Sequence, residues 1–204
     1  MATSKNDLRW RRTHEQIKQG FIKELSHQSF EQLTISSLIK TTKISRRAFY
    51  MHYADKYDLR TQLEKELVQQ LKAAFDEDHQ HFLQDLENKQ ALWQQYTVLL
   101  TNVLTLINHE RQLFRVLLSA NGDAHFKQQL WKLVADEIDT RVNLYNAHFT
   151  DKLPRHYALV MIVDGLIGLI EAWLNNPHPE SVEHFSQILT ASQLIAPLNL
   201  LEEN

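Results

Sequence analysis

Residues 34–59 read Thr34-Ile-Ser-Ser-Leu-Ile-Lys-Thr-Thr-Lys-Ile-Ser-Arg-Arg-Ala-Phe-Tyr-Met-His-Tyr-Ala-Asp-Lys-Tyr-Asp-Leu59. Two short helices joined by a tight turn fit this run. Thr34 is an N-cap in front of Ile35, Leu38 and Ile39, which share one helical face, and the polar cluster Lys40–Lys43 ends that helix. Ile44 closes the turn. Ser45 then caps a second helix, predicted to run to Tyr53, whose buried face is Ala48, Phe49 and either Tyr53 or its neighbour Met51.

Such a pair has one well-understood use. When the second helix enters a major groove, its N-terminal turn meets the base edges, and here that turn carries Ser45, Arg46 and Arg47. Arginine there can bind guanine O6 and N7 with two hydrogen bonds, which supplies sequence specificity. Thr34 and Lys56 stand at helix N-termini, where a hydroxyl or ammonium and free backbone N–H groups can hold phosphates; Tyr50 and His52 have the reach to add more. Loss of Lys56 is therefore expected to weaken binding to all DNA alike and to flatten its salt dependence.

Outward from this run the pattern stays helical. Ile17, Phe21 and Leu25 are spaced four apart and predict a first helix over Asp7–His27, closed by Phe30 and Leu33. Lys5, Arg9, Arg11 and Arg12 lie ahead of or on it, as an arm along the DNA backbone or minor groove or as a solvated tail. Downstream, Asp55 is an N-cap with Asp58 in the first turn, and Leu59, Leu63, Leu67 and Leu71 form a stripe. Further helices are expected over Lys89–Asn108, Glu110–Ser119, Ala124–Phe149, Pro154–Asn175 and Glu180–Ala196. With 4 Gly and 4 Pro in 204 residues the chain lacks the turn residues of an all-β protein, so the fold expected is all-α. It is expected to divide into a three-helix DNA-binding domain over residues 1–55 and a C-terminal helical bundle over 56–204.

Charge divides the chain at nearly the same place. Residues 1–60 hold 12 Lys and Arg against 6 Asp and Glu, and the other 144 hold 10 against 19. A basic segment on an acidic body suits localised binding to a polyanion. The absence of cysteine excludes disulfides, thiolate metal sites and a cysteine nucleophile, and fits a reducing cytoplasm. No apolar leader can be drawn through Arg9, Arg11, Arg12 and Lys18. Tyr157–Leu174 is the one stretch that resembles a membrane span, but Asp164 and Glu171 interrupt it, and it is read as a buried helix with no membrane involved.

The helix expected over Pro154–Asn175 is apolar nearly all round, so it lies at the centre of its own bundle or is covered by a second subunit. The second is favoured, as a homodimer. Small residues permit close backbone approach, and the interface expected is Ala158, Met161, Gly165, Gly168, Leu169 and Ala172, with Phe185 and Leu189 from the last helix.

The run Thr34, Ile44-Ser45, Arg46, Phe49-Tyr50, His52-Tyr53, Lys56 and Leu59 resembles the helix-turn-helix signature of the TetR/AcrR family of transcriptional regulators. The resemblance implies a homodimer on a near-palindromic double-stranded DNA operator, and the family prior favours a repressor. It also implies a small-molecule pocket in the C-terminal helices whose occupancy changes the separation of the two DNA-reading heads. Trp93, Tyr96, Phe114, Phe126, Trp131 and Tyr145 could line such a pocket or simply fill the core. Two departures stand out: Thr42-Lys43 replaces the family's usual Ala-Gly before the turn, and Ile39 replaces Ala. Lys43 would strain a turn that glycine relaxes. Gly165–Leu174 further resembles the subgroup that includes the dihydroxyacetone-kinase operon activator, in which the effector can be a partner protein.

Other functions find little support. Asp76, Asp78, His79 and His81 cluster near the end of the fourth helix, but the i, i+2 spacing separates the imidazoles; the cluster is read as a solvated helix end, with no metal and no cofactor expected. No Gly-rich phosphate loop, Gly-x-Ser-x-Gly elbow or His-Glu-x-x-His is present, so an enzyme is not expected. The rival reading is a helical co-regulator of the same fold that acts through a partner protein, with weak or no operator binding of its own.

Overall fold

The computed structural model describes residues 3–80, 89–122, 124–144 and 148–193. These form nine helices: α1 Thr3–Leu25, α2 Ile35–Thr42, α3 Arg46–Tyr50, α4 Lys56–Gln80, α5 Lys89–His109, α6 Arg111–Leu118, α7 Ala124–Leu144, α8 Arg155–Asn175 and α9 Val182–Ser192. The all-α expectation holds. The chain divides into two compact units, Met1–Leu67 with Gln112–Lys127, and Val68–Arg111 with Gln128–Asn204.

In the first unit the apolar residues picked out by spacing are the ones that close the core. Ile17, Phe21, Leu25, Leu38, Phe49, Leu59, Leu63 and Leu67 are all essentially sealed from water, and each such side chain contributes about 1.5–3 kcal/mol. Of the two alternatives for the last buried position of the expected helix, Tyr53 is inside and Met51 is 74% exposed, both beyond the end of α3. α1 and α2 approach closely because Gly20 has no side chain: a Cβ there would stand 2.1 Å from the Thr42 methyl. The segment 112–127 joins this unit through Asn121, whose amide donates to the Leu25 carbonyl at 3.1 Å and whose own carbonyl accepts from Phe30 N at 3.1 Å. Phe114 and Phe126 pack there, rings 6.1 Å apart and both buried.

The second unit is built on α8 and α9. Leu159, Val163 and Ile167 of α8 pack on Ala135, with Trp131, Val134, Ile138 and Phe149 around them. α9 lies along α5, where Thr101 Oγ1 donates to Ser186 Oγ at 3.0 Å and the Thr97 and Thr190 hydroxyls are 3.1 Å apart. Trp173 stacks on Phe185 at 4.7 Å, and its indole N–H reaches the Glu180 carbonyl at 3.0 Å.

Three expectations change. The second helix of the quoted run stops at Tyr50 rather than Tyr53. α1 begins at Thr3, so Lys5–Arg12 is helical and forms no extended arm. α7 ends at Leu144, leaving Phe149 in the connection to α8.

Candidate nucleic-acid interface

The turn between α2 and α3 is fixed at both ends by local hydrogen bonds. Thr34 Oγ1 accepts from Ser37 N at 3.0 Å while Ser37 Oγ faces Thr34 N at 3.3 Å, a reciprocal capping box that satisfies two otherwise orphaned donors. α2 ends in Lys43 at φ 57 and ψ 23, a left-handed residue whose N–H returns to the Ile39 carbonyl at 2.9 Å. Among the described residues it is the one non-glycine with positive φ, at the position where the sequence departs from Gly. Ser45 then caps α3, accepting from Ala48 N at 3.0 Å.

That cap leaves Arg46, Arg47 and Tyr50 exposed on a helix of five residues. Arg46 Nη2 donates to Ser36 Oγ on α2 at 3.1 Å, which ties the first turn of α3 to its neighbour. Tyr50 is 48% exposed, with its ring edge-on to Phe49. Thr34 is exposed as well, so these four groups and Ser45 are open to solvent.

His52 is placed differently. Its ring stacks on Trp10 of α1 at 4.9 Å, and Nδ1 is buried without a hydrogen-bond partner. Burial foremost, then the nearby His14, holds its pKa below the usual histidine value. Trp10 stacks on His14 with its other contact, at 5.2 Å. His14 Nδ1 lies 2.5 Å from Tyr53 Oη and its Nε2 is 3.3 Å from Glu66. Burial, then the charges of Glu66, Asp58 and Glu15, push the Tyr53 phenol up, so it stays protonated and can donate to His14. Trp10, His14 and Ser36 were not picked out from sequence. The i, i+4 spacing of Trp10 and His14 on one helix was a usable signal; the Ser36 to Arg46 contact had none.

Lys56 does not reach outward. Its ammonium donates to the carbonyls of Phe30, Glu31 and Leu33, each at 3.0 Å. The start of α4 is capped as expected: Asp55 Oδ1 accepts from Tyr57 N and Asp58 N at 2.8 Å, and Asp58 accepts from Ala54 N at 2.8 Å.

The proposed interface residues of α8 and α9 separate into two groups. Met161 is 61% exposed, and Gly165, Gly168 and Ala172 lie on the same open face of α8, with Ala158 and Leu169 half-buried beside it. Phe185 and Leu189 are instead closed within the protomer, at 4% and 0% exposure, because α9 turns them onto its own unit's core. By length and composition α8 could cross a membrane, but 39% of its apolar window is buried in the protein and it carries Asp164 and Glu171.

Of the six candidate pocket aromatics, four have described side chains. Phe114 and Phe126 pack on each other in the first unit, while Tyr96 and Trp131 belong to the second. Tyr145 lies outside the described residues, and so does the Trp93 side chain. Tyr96 is buried enough to push its phenol up to about 12. Trp131 Nε1 donates to Asp164 at 3.0 Å.

Within the cluster on α4 Asp76 is exposed as expected, but Asp78 and His79 are drawn into an internal network. Asp78 is buried and accepts from Arg141 Nη2 at 2.6 Å; Glu137 accepts from Arg141 Nε at 2.6 Å and lies 3.0 Å from His79 Nε2. Spacing alone could not foresee it, because the partners are on α7. No group of three potential metal ligands occurs among the described residues, and His81 lies outside them.

Residues 93–193, from α5 to α9, match the TetR family model described as a transcriptional regulator C-terminal region. No curated protein matches the chain significantly. Among solved structures, a TetR transcriptional regulator from Streptococcus agalactiae is similar with TM-score 0.59 and 18% identity, over 92% of this chain and 96% of that one. The fatty acid degradation regulator FadR from Bacillus halodurans gives 0.60 and 12%, over 89% and 94%. The dihydroxyacetone kinase operon activator DhaS gives 0.56 and 13%, over 89% and 94%. At these identities the likeness is one of fold.

Proposed function

We propose that the chain, which matches a TetR family model over residues 93–193 and shares the fold of solved TetR regulators, is a transcriptional regulator of that family that binds a near-palindromic DNA operator as a homodimer. The observation that carries this reading is the first turn of α3. Ser45 caps a five-residue helix whose Arg46 and Arg47 are exposed together, in a segment with twice as many basic as acidic residues. A groove-reading helix needs that placement, since its N-terminal residues meet the base edges. Arg46 and Arg47 read bases, Ser45 and Thr34 contribute hydroxyl and backbone donors to phosphates, and Tyr50 extends the phosphate contacts, while His52, stacked on Trp10, braces the end of the reading helix against α1.

In this reading residues 1–55 bind DNA and residues 56–204 regulate and dimerise. The open face of α8, with Ala158, Met161, Gly165, Gly168, Leu169 and Ala172, meets its symmetry mate. The protein acts in the cytoplasm as a repressor, released when a small molecule occupies the C-terminal bundle, with the aromatic residues of that bundle, Tyr96 and Trp131 among them, as candidate contacts of that site.

The test is titration of the purified protein onto a labelled fragment from its own upstream region, against random competitor, at two salt concentrations. Specific, salt-sensitive binding is expected. Weak binding, equal on both DNAs, would replace this reading with that of a co-regulator acting through a partner protein.

A further inference from the structure

The turn between α1 and α2 and the start of α4 meet at one side chain. Lys56, the first residue of α4, directs its Nζ to three carbonyl oxygens of that turn, those of Phe30, Glu31 and Leu33, each at 3.0 Å. An ammonium has three N–H donors and no acceptor, so the turn takes its whole donor capacity. The ring of Phe30 lies 4.9 Å from Nζ and that of Tyr57 5.3 Å, which adds a cation–π component on two sides.

The ammonium matters most to the Leu33 carbonyl, since the Phe30 carbonyl also accepts from Leu33 N at 3.2 Å and that of Glu31 is open to water. Three oxygens aimed at one point repel one another, and two of the three belong to residues whose carbonyls are partly withdrawn from water. Leu33 is itself buried and directly precedes Thr34, the N-cap of α2. The ammonium therefore sets where α2 begins relative to α4. To reach a phosphate it would have to give up three charge-assisted bonds for one.

We propose that Lys56 is a positioning residue for DNA binding: it clamps the α1–α2 turn onto the first turn of α4 and neutralises no phosphate. This deepens the reading given above and rests on it. The clamp acts through Thr34 and the α2–turn–α3 unit that follows, whose placement decides how Arg46 and Arg47 meet the groove.

Lys56→Met keeps most of the apolar stem and removes the donors. Binding of wild type and variant to the upstream fragment is measured between roughly 50 and 200 mM salt, where the electrostatic slope is steep, at a temperature where both are folded. The clamp predicts several-fold weaker binding at every salt concentration, an unchanged slope of log affinity against log salt, and a lower thermal midpoint. A slope shallower by about 0.9, the value of one lost phosphate contact, with the midpoint intact would overturn it. So would a lower midpoint with unchanged affinity in the folded state, since the lysine would then serve stability alone. The wild-type titration separates the two claims: if it shows no specific, salt-sensitive binding, the regulator reading fails by itself and the positioning role falls with it.

Discussion

Lys43 sits in a conformation that L-residues avoid. At φ 57 its Cβ crowds the following carbonyl, which costs about 1–2 kcal/mol, and only the return of its N–H to Ile39 ends α2 cleanly. Glycine would remove the crowding but would cost about 0.4–1 kcal/mol through its freer unfolded chain. Lys43→Gly is thus expected to raise stability by up to ~1.5 kcal/mol, read as a higher urea midpoint at unchanged slope. A lower midpoint would mean that the lysine side chain contributes something that its exposed position does not reveal. His52 gives a prediction of the opposite kind. Its pKa is depressed in the folded protein, first by burial and then by His14. The unfolded chain therefore binds a proton more readily, and the stability that this histidine contributes is full above about pH 6.5 and is lost as pH falls through the folded-state value. His52→Gln, which cannot titrate, should lose less stability than wild type between pH 7.5 and 5.5. Equal losses in paired urea melts would assign the pH dependence to other groups.

A helix of five residues has no stability of its own, so α3 exists because its ends and one face are held. Ser45 supplies the N-terminal donor's partner, Phe49 is sealed in the core, and Arg46 is tied to Ser36 of α2. If α3 reads bases, Arg46→Ala or Arg47→Ala should cost about 1–3 kcal/mol on the specific fragment and much less on random DNA. Equal losses on both would reduce these arginines to phosphate contacts. The caps of α2, α3 and α4 were legible in sequence because capping is local: Thr34, Ser45 and Asp55 each bind a backbone N–H two or three residues on. The end of α3 was not. Phe49 and Tyr53 share a helical spacing, yet Tyr53 is drawn in by His14 from α1 while the backbone has already turned. The same gap explains Asp78 and His79, which spacing made solvent-facing and which Arg141 and Glu137, some sixty residues away, make internal. It also explains Phe114 and Phe126, for which sequence left open a pocket or a core role and which pack on each other in the core of the first unit.

On the scale of the whole molecule the open question is what covers the outer face of α8. Tyr157, Val160 and Met161 are 53%, 41% and 61% exposed, three of the ten exposed large apolar residues among the described ones and all within five positions of one helix. Gly165 and Gly168 sharpen the point. A Cβ at either would meet nothing within 4 Å, so the protomer has no steric need for glycine there, and in a helix interior each costs roughly 0.5–1 kcal/mol relative to alanine. A need that the protomer does not have can come from a second copy, whose backbone could approach at these positions across a two-fold axis. Gly168→Leu should therefore leave the protomer folded, with an unchanged or slightly higher melting midpoint in dilute solution, while shifting sedimentation from dimer to monomer and weakening operator binding. A variant that remains dimeric at the same concentration would place the interface elsewhere and leave the two glycines without a packing reason. A variant that fails to fold would show instead that α8 packs more tightly within its own chain than the open space around Gly168 implies.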